Sequence, residues 1–407
     1  MLNGERHHES ALIPSPPTSG RPRKLAVVGL SYPFRGGISH FSTLQVRALR
    51  RKYDVSFITL SRQYPGFLFP GQTQFDYSAK TLVEPNEQII DTLNPLTWIA
   101  AARRLNREQP EMIIFQWWHP YFAPTFGSIV RLLAPALRRR VCFLCHNVMP
   151  HEGNPLQTLL TRYAFPSGGF YIVHSEQDRQ QLSALRPRAT IRKGCHPTYS
   201  EFADGAAGDK RDARRALGIE ENRRTLLFFG LVRNYKGLRY LIEAMPGVLK
   251  AMDCRLLVVG EFYDDKASYL ELIERLGLRD CITVVDRYVP NEEVGRYFRA
   301  ADVAVLPYTS ATQSGIVQIA FGLGTPVIVT RVGGLPEVVE EGRTGLVVAP
   351  SSAEALVEAI VRYYEGGLEN RFRDAIAGQA SRFDWDEEVA LVDELLALAA
   401  RPAGAAT

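Results

Sequence analysis

Short apolar runs alternate along the chain with longer stretches in which apolar residues recur at helical spacing. In the first half, the apolar runs predict strands at residues 24–30, 55–60, 112–115, 141–145 and 170–173. Stretches at about 39–51 and 95–106 have the period of amphipathic helices and lie between those runs. Apolar runs without alternation are typical of strands buried on both faces, so the pattern predicts a parallel sheet wrapped by helices.

The second half of the chain repeats this order. Its apolar runs predict strands at residues 225–229, 255–259, 282–285, 303–306, 326–330 and 346–348. Helical periodicity fills the gaps at residues 238–251, 266–275, 292–301, 314–323 and 353–364, and a closing helix is expected at 385–398 with Asp384 as its N-cap. The expected fold class is α/β, with two doubly wound, Rossmann-like parallel-sheet domains that face each other across a cleft.

Breaks in the pattern set the expected domain boundaries. Residues 1–23 are rich in Pro, Ser, Gly and His and lack an apolar core, which predicts a disordered tail and not a signal peptide. The N-terminal domain is expected at 24–197, a polar linker with a short helix at 198–224, and the C-terminal domain at 225–382. Residues 383–407 carry the closing helix and a tail.

Composition narrows the classes of function. A chain of 407 residues exceeds one ordinary core, and 46% hydrophobic with 23% charged residues is the balance of a globular protein. No apolar stretch reaches the ~18–20 residues that span a bilayer. Five cysteines form no disulfide framework, and Cys142 and Cys145 are interpreted as buried strand residues and not as zinc ligands. These features favour a cytoplasmic protein.

The charge pattern bears on partners. The net charge of +4 is mild and no basic stripe is interleaved with aromatic residues, so nucleic acid is not expected as a partner. One basic cluster stands out, made of Arg131, Arg138, Arg139 and Arg140. It is interpreted either as a solvated helix end or as a peripheral contact with anionic lipid head groups at the inner face of the membrane.

Phosphate-binding candidates lie in the second domain. The chain has no P-loop, no H-E-x-x-H zinc motif and no G-x-G-x-x-G turn after its first strand, which disfavours P-loop ATPases and ordinary NAD enzymes. The strongest remaining candidate is the turn that contains Gly230, Arg233 and Lys236 and leads from a strand into a helix. The amides and positive dipole end of a helix N-terminus, joined by two cations, are suited to hold a diphosphate.

Two further features of the second domain fit a nucleotide site. Ser314, Gly315 and Gln318 follow an apolar strand and open a helix, where small residues let backbone amides approach a phosphate or a sugar hydroxyl. Arg287 lies just past another strand, and is interpreted either as a cation at the same edge or as a plain surface arginine. Several such turns in one α/β domain predict a nucleotide site.

The first domain offers candidates at the facing edge. Gly36 and Gly37 follow the first strand and admit a ligand close to the backbone. His146 comes directly after the strand at 141–145, so its imidazole is expected at the carboxyl edge of the sheet, facing the cleft. An aromatic acceptor wall is expected nearby, made of Trp117, Trp118, Tyr121 and Phe122.

Together these residues resemble glycosyltransferase family 4, the retaining enzymes of the GT-B fold, over most of the chain. The resemblance is carried by Gly36-Gly37, His146, Gly230 with Lys236-Gly237, Asp302 to Pro307, Gly324 with Pro326, Gly333-Gly334 with Glu337, and Gly342 with Gly345. It implies retaining, metal-independent hexosyl transfer from a UDP- or GDP-sugar to a glycan or lipid-linked acceptor in polysaccharide biosynthesis. The nucleotide sugar is a co-substrate held mainly by the C-terminal domain, no other cofactor is implied, and the last helix is expected to cross back to the first domain.

The chain departs from the family pattern in two places. Leu231 stands where the family has an arginine, and Arg233 is the nearest replacement. The family's pair of glutamates is missing, because the aligned positions hold Thr312 and Ala320, or Ala311 and Ile319, depending on the register. Gln318 is the nearest polar side chain that would contact the donor ribose, without a charge.

One mechanism is favoured and two alternatives remain. Arg233 and Lys236, with the helix N-terminus at Ser314 and Gly315, would stabilise the departing diphosphate. His146 would position the donor sugar or a phosphate. The alternatives are a nucleotide-sugar epimerase of the same fold and an inactive nucleotide-sugar-binding partner of another transferase.

Overall fold

The computed structural model describes residues 22–66, 69, 71–79, 81–149, 154–203 and 208–400. Nearly all of the predicted N-terminal tail, and the tail after residue 400, lie outside the described residues. The described chain forms two parallel sheets, one of seven strands and one of six, each wrapped by helices. The predicted two-domain α/β fold is confirmed.

The N-terminal sheet has the strand order β3-β2-β1-β4-β5-β6-β7, and all of its pairs are parallel. Its strands are β1 (Lys24–Gly29), β2 (Asp54–Arg62), β3 (Glu87–Asp91), β4 (Met112–Trp117), β5 (Val141–Cys145), β6 (Phe170–Val173) and β7 (Thr190–Lys193). Its helices are α1 (Gly37–Arg50), α2 (Pro95–Glu108), α3 (Ala123–Leu132), α4 (Pro135–Arg138), α5 (Pro155–Ala164) and α6 (Glu176–Leu185). The order of strands reverses between β1 and β4, which makes a crevice at their carboxyl ends.

The C-terminal sheet has the order β10-β9-β8-β11-β12-β13, again all parallel. Its strands are β8 (Arg224–Phe229), β9 (Cys254–Val259), β10 (Ile282–Val285), β11 (Val303–Leu306), β12 (Val327–Thr330) and β13 (Gly345–Val348). The helices are α7 (Lys210–Ala216), α8 (Leu238–Ala251), α9 (Lys266–Arg275), α10 (Asn291–Ala300), α11 (Gly315–Gly322), α12 (Leu335–Val338), α13 (Ala353–Glu365), α14 (Leu368–Gly378) and α15 (Trp385–Ala399). The order reverses between β8 and β11, so the loops after these two strands meet at the second crevice.

The last helix lies on the N-terminal domain. Asp384 caps α15 by accepting a hydrogen bond from the amide of Asp386, as predicted. Val392 and Leu395 are buried in the same apolar cluster as residues of β1 and β4, and α15 packs against α1. The chain thus returns to its first domain after completing the second.

Two edge strands were not predicted. The sequence of β3 is Glu-Gln-Ile-Ile-Asp and that of β7 is Thr-Ile-Arg-Lys, and both are half exposed at the edges of the sheet. An edge strand is solvated on one side and so lacks the apolar run by which the central strands are recognised. By contrast, Cys142 and Cys145 are fully buried on β5 with free thiols, as predicted.

No helix in the described ranges combines the length and the apolar run needed to cross a bilayer.

Candidate functional site

The turn after β8 lies tightly against the loop after β11. Gly230 directly follows β8 and has φ +104°, and a short turn at Asn234–Lys236 leads into α8. At Gly237, with φ +65°, an added Cβ would stand 1.9 Å from the carbonyl oxygen of Pro307, so no other residue fits there. The two predicted phosphate-binding loops are therefore one structural unit.

Lys236 is the buried cation of this unit. Its side chain is 8% exposed, and its Nζ lies 5.5 Å from the ring centroid of Tyr308. Burial, and after it the charge of Arg233, lowers the pKa of Lys236 to about 8. No carboxylate contributes to that pKa among the described residues. A buried ammonium without a nearby carboxylate among the described residues is suited to bind an anion.

The N-terminus of α11 stands beside Lys236. Ser314 is the N-cap residue, its side chain makes no capping bond, and its Oγ lies 3.5 Å from the hydroxyl of Tyr308. A Cβ added at Gly230 would stand 3.0 Å from Nζ of Lys236 and 3.2 Å from Cδ1 of Ile316. The structure thus brings together Gly230, Lys236 and the start of α11 at Ser314 and Gly315.

Arg233 faces the other domain. Its side chain is exposed, and its guanidinium carbon lies 5.4 Å from the ring centroid of Tyr263. Burial lowers the pKa of His119, which follows β4 in the N-terminal domain, and the charge of Arg233 lowers it further. Arg233 therefore carries its charge into the cleft between the two domains.

Gln318 is buried in the same helix. Its side chain is 1% exposed, and its Oε1 has no hydrogen-bond partner within the described part of the chain. Because a buried amide oxygen without a partner is unfavourable, this atom is a candidate acceptor for a ligand hydroxyl. Its contact with a donor ribose stays a prediction.

The loop before α11 touches the N-terminal domain at Thr312, one of the positions where a glutamate was missing, and at the next residue, Gln313. The hydroxyl of Thr312 donates a hydrogen bond to Oδ1 of Asn147, the residue after His146. Nε2 of Gln313 donates to the carbonyl oxygen of His174. Neutral side chains there make contacts between the two domains.

Arg287 stands apart from this group. It follows β10, the edge strand, which lies two strands away from β8. Its guanidinium forms an ion pair with Glu293, whose side chain is 26% exposed. The structure therefore gives Arg287 a protein partner, and its role as a donor contact stays a prediction.

The glycine turn after β1 ends in Gly36 and Gly37. Gly36 has φ +102° and precedes the first residue of α1, Gly37. A Cβ added at either residue would meet no atom of the described residues within 4 Å. The turn leaves room for a ligand at the N-terminus of α1.

His146 lies at the carboxyl end of β5, where it was predicted. Its imidazole is 9% exposed, packs edge-on against Phe41 with ring centroids 4.7 Å apart, and places Nε2 2.9 Å from Oε1 of Gln116. Burial first, and then His174 and His196, holds the pKa of His146 well below its usual range. The ring is therefore neutral at pH 7, and it is a weak base.

The four residues of the predicted aromatic wall differ in burial, and their contact with an acceptor stays a prediction. Trp117 and Phe122 are fully buried in the N-terminal core, because Trp117 ends the central strand β4 and Phe122 ends the short helical turn Pro120–Phe122 that follows it. Trp118 and Tyr121 are partly buried. Tyr121 packs on Tyr64 with ring centroids 4.9 Å apart, so these side chains can line a cleft.

Sequence reasoning missed a buried ion pair across the cleft. Arg35, in the glycine turn after β1, pairs with Glu261, which comes two residues after the end of β9. The guanidinium of Arg35 also stacks on the ring of Tyr288, 4.7 Å from its centroid. Arg35 and Glu261 both lie in loops that follow the carboxyl end of a strand. This is the same rule of position by which His146 was identified.

Comparison with known proteins finds that part of the chain is similar to glycosyltransferases. Residues 223–366 match the family described as glycosyl transferases group 1. A D-inositol 3-phosphate glycosyltransferase of Corynebacterium glutamicum is 31% identical over 231 residues, which cover 54% of this chain and 53% of that protein. An uncharacterized glycosyltransferase of Methanocaldococcus jannaschii is 29% identical over 184 residues, 44% of this chain and 46% of that protein. The chain thus spans about half the length of the curated relatives it matches.

Solved structures share the whole fold. Sucrose-phosphate synthase of Thermosynechococcus elongatus superposes with a TM-score of 0.71 at 19% identity, over 92% of this chain and 100% of that chain. The Anabaena protein HepE, in complex with UDP and glucose, superposes with a TM-score of 0.69 at 17% identity, over 92% and 100%. At these identities the likeness shows the fold alone.

Proposed function

We propose that this chain, which matches the group 1 glycosyltransferases over residues 223–366 and has the GT-B fold, transfers a hexosyl group from a UDP- or GDP-sugar to a glycan or lipid-linked acceptor. The transfer proceeds with retention and without a metal ion. The nucleotide sugar lies mainly on the C-terminal domain, at the reversal of strand order between β8 and β11. The acceptor lies on the N-terminal side of the cleft, near Trp118 and Tyr121.

One observation carries the proposal: the buried ammonium of Lys236 lacks a carboxylate within the described residues and stands beside the N-terminus of α11. When the bond between the anomeric carbon and the β-phosphate oxygen breaks, negative charge builds on the diphosphate. A pre-organised cation and helix dipole stabilise that charge more in the transition state than in the ground state. Arg233, exposed to the cleft, adds a second cation.

Retention requires the acceptor oxygen to bond to the anomeric carbon on the face that the diphosphate leaves. In this step the proton of the acceptor hydroxyl passes to the departing phosphate oxygen, so no protein base is needed. The low basicity of His146 is consistent with a binding role. Gly36, Gly37, Gln318 and Arg287 are proposed donor contacts.

Replacement of Lys236 by alanine tests the proposal. Loss of one such pre-organised donor is expected to lower the transfer rate by about 100- to 1,000-fold. The matched control is Arg239→Ala, because Arg239 lies one turn away on α8 but is exposed and paired with Glu243. The assay uses a panel of UDP-, GDP- and ADP-sugars with and without acceptor. Sugar epimerised without acceptor would indicate the epimerase, and binding without turnover would indicate the inactive partner.

A peripheral contact with an anionic membrane is part of the proposal, because a lipid-linked acceptor would lie there. On α5, Leu156 and Leu159 are 62% and 64% exposed and lie on one face of the helix with Tyr163. Arg131 stacks on the ring of Tyr163, 3.7 Å from its centroid, and Arg162 is exposed beside it. Apolar residues flanked by arginines suit the boundary between head groups and acyl chains. Such a contact places the protein at the inner face of the membrane.

A further inference from the structure

A chain of hydrogen bonds between buried side chains runs from the C-terminal helix to His146. Glu388, on α15, accepts bonds from Nε2 of His174 and from Nε2 of Gln45, each at 3.1 Å. Oε1 of Gln45 accepts a bond from Nε2 of Gln116 at 2.6 Å. Oε1 of Gln116 lies 2.9 Å from Nε2 of His146. All five side chains are buried.

The chemistry of donors and acceptors determines which group donates at each of these hydrogen bonds. An ionised carboxylate accepts hydrogen bonds and donates none, so Gln45 must turn its amide nitrogen toward Glu388. The carbonyl oxygen of Gln45 then faces Gln116, which must donate its amide nitrogen to it. The remaining oxygen of Gln116 faces His146, and Nε2 of that imidazole must carry a proton.

We propose that Glu388 is a positioning residue that acts through the two glutamines to hold His146 as its Nε2–H tautomer. The Nδ1 atom of His146 is then the acceptor nitrogen. A neutral ring with an acceptor nitrogen recognises a hydroxyl or an amide N–H of the donor sugar and repels a phosphate or a carboxylate. Of the two earlier possibilities for His146, sugar and phosphate, this selects the sugar, and the inference rests on the proposed transferase function.

The packing around these hydrogen-bonded side chains holds the imidazole of His146 in a fixed orientation. Phe41 lies within 4.7 to 5.6 Å, between ring centroids, of the imidazoles of His146, His174 and His196. The peptide nitrogen of His146 donates to the carbonyl oxygen of Trp117 at 2.8 Å. Because the ring and the backbone of His146 are both held, the variable that remains is which ring nitrogen carries the proton. The hydrogen-bonded series Glu388, Gln45 and Gln116, here called the glutamine relay, determines that choice.

The position of Glu388 gives the C-terminal helix a role in the site. It reaches the relay because α15 packs on α1, the helix that carries Gln45. Asp393, on the same helix, also contacts the N-terminal domain, through Tyr53 and through Lys52 at 2.6 Å. Asp393 has no link to the relay among the described residues, so it is a matched control for the anchoring of α15.

The test compares Glu388→Gln with Asp393→Asn in protein labelled with nitrogen-15 at histidine. Two-bond proton–nitrogen correlation spectra report the tautomer of each imidazole, and the signal lost in His146→Gln assigns His146. In the unmodified chain and in Asp393→Asn, we expect the Nε2–H form alone. In Glu388→Gln the new amide can offer either its oxygen or its nitrogen, so we expect a mixture of tautomers. An Nδ1–H form in the unmodified chain, or an unaltered tautomer in Glu388→Gln, would overturn the proposal.

A second variant allows the test to be made even if Glu388→Gln does not fold. Gln45→Met cuts the relay with an apolar side chain of similar length and leaves Glu388 paired with His174. It is expected to give the same mixed tautomer. In both variants the kcat/KM of sugar transfer is expected to fall about 3- to 10-fold, the effect of one misdirected hydrogen bond. The tautomer spectra need no substrate, so they stand even if Lys236→Ala leaves transfer unchanged and the transferase proposal fails.

Discussion

Arg35 and Glu261 form a buried ion pair that joins the two domains across the cleft. Their side chains are 5% and 4% exposed, although each lies in a loop after a strand. The other oxygen of Glu261 accepts a bond from the amide of Gln72 at 2.6 Å. Removing one partner from a buried pair leaves an uncompensated charge, which is far more costly than the pair is stabilising. In a two-domain chain that charge can be hydrated by opening the cleft.

Arg35→Ala is therefore expected to shift the protein toward an open arrangement. The radius of gyration from small-angle X-ray scattering should rise, while Arg35→Ala with Glu261→Ala together should restore part of the compactness. Arg104→Ala is the control, because Arg104 pairs with Glu87 and Glu108 within one domain. Equal radii of gyration for Arg35→Ala and the unmodified chain would show that other contacts hold the domains.

The lowered pKa of Lys236 predicts a pH dependence of nucleotide binding. In the free protein the pKa of Lys236 is about 8, against 10.5 for an ordinary lysine, because burial disfavours the charged form. As the pH rises, Lys236 therefore loses its proton in the folded chain before it does so in the unfolded chain. Between pH 8 and pH 10.5 the unfolded chain binds more protons, so the free energy of unfolding increases with pH. The affinity for UDP, measured by titration calorimetry, is expected to fall from pH 7 to pH 9.

Lys236→Arg separates this effect from other titrations, because a guanidinium stays charged throughout that range. Its UDP affinity is expected to be independent of pH between the same limits. The nucleotide phosphates are already ionised above pH 7, so they add little to the slope. An equal slope in both proteins would assign the pH dependence to another group.

The buried oxygen of Gln318, which has no hydrogen-bond partner among the described residues, predicts opposite effects on binding and stability. Gln318→Leu removes this buried polar atom, so the melting temperature should be unchanged or higher. Nucleotide affinity should fall about 3- to 10-fold if Oε1 accepts a bond from the ribose. Gln379→Leu is the control, since the side-chain atoms of Gln379, at the end of α14, also have no hydrogen-bond partner in the described part of the chain. Equal UDP affinities for the two leucine variants would remove Gln318 from the donor site.

Local pattern was sufficient to predict most of the fold. Central strands such as β5 and β11 are continuous apolar runs, because they are buried on both faces, and their bounds agree with those predicted from the sequence. The positions of the two loops proposed to bind phosphate were also predictable, since Gly230 directly follows a strand and Ser314 directly precedes a helix. The same rule would have marked His174 and Glu261, which follow β6 and β9 closely.

Contacts between distant residues could not be predicted. Glu388 reads as one of several acidic residues in the first turn of a terminal helix, where acids are favourable without any further role. Its partner Gln45 is 343 residues away and occupies a position on α1 that carries no distinctive motif. Only the packing of α15 on α1 turns these two ordinary residues into a relay to His146.

The exposed apolar face of α5 predicts binding to anionic vesicles. Leu156→Ser with Leu159→Ser removes two side chains that would each enter the head-group boundary, so partition onto phosphatidylglycerol vesicles is expected to fall about 10-fold or more. Leu270→Ser is the control, because Leu270 is 42% exposed on α9 in the other domain. Co-sedimentation at low and high salt separates two contributions to vesicle binding, that of the apolar side chains and that of the arginines. Salt screens only the attraction between the arginines and the anionic lipids. If the doubly substituted protein and the Leu270→Ser protein sediment alike at both salt concentrations, α5 does not face the membrane.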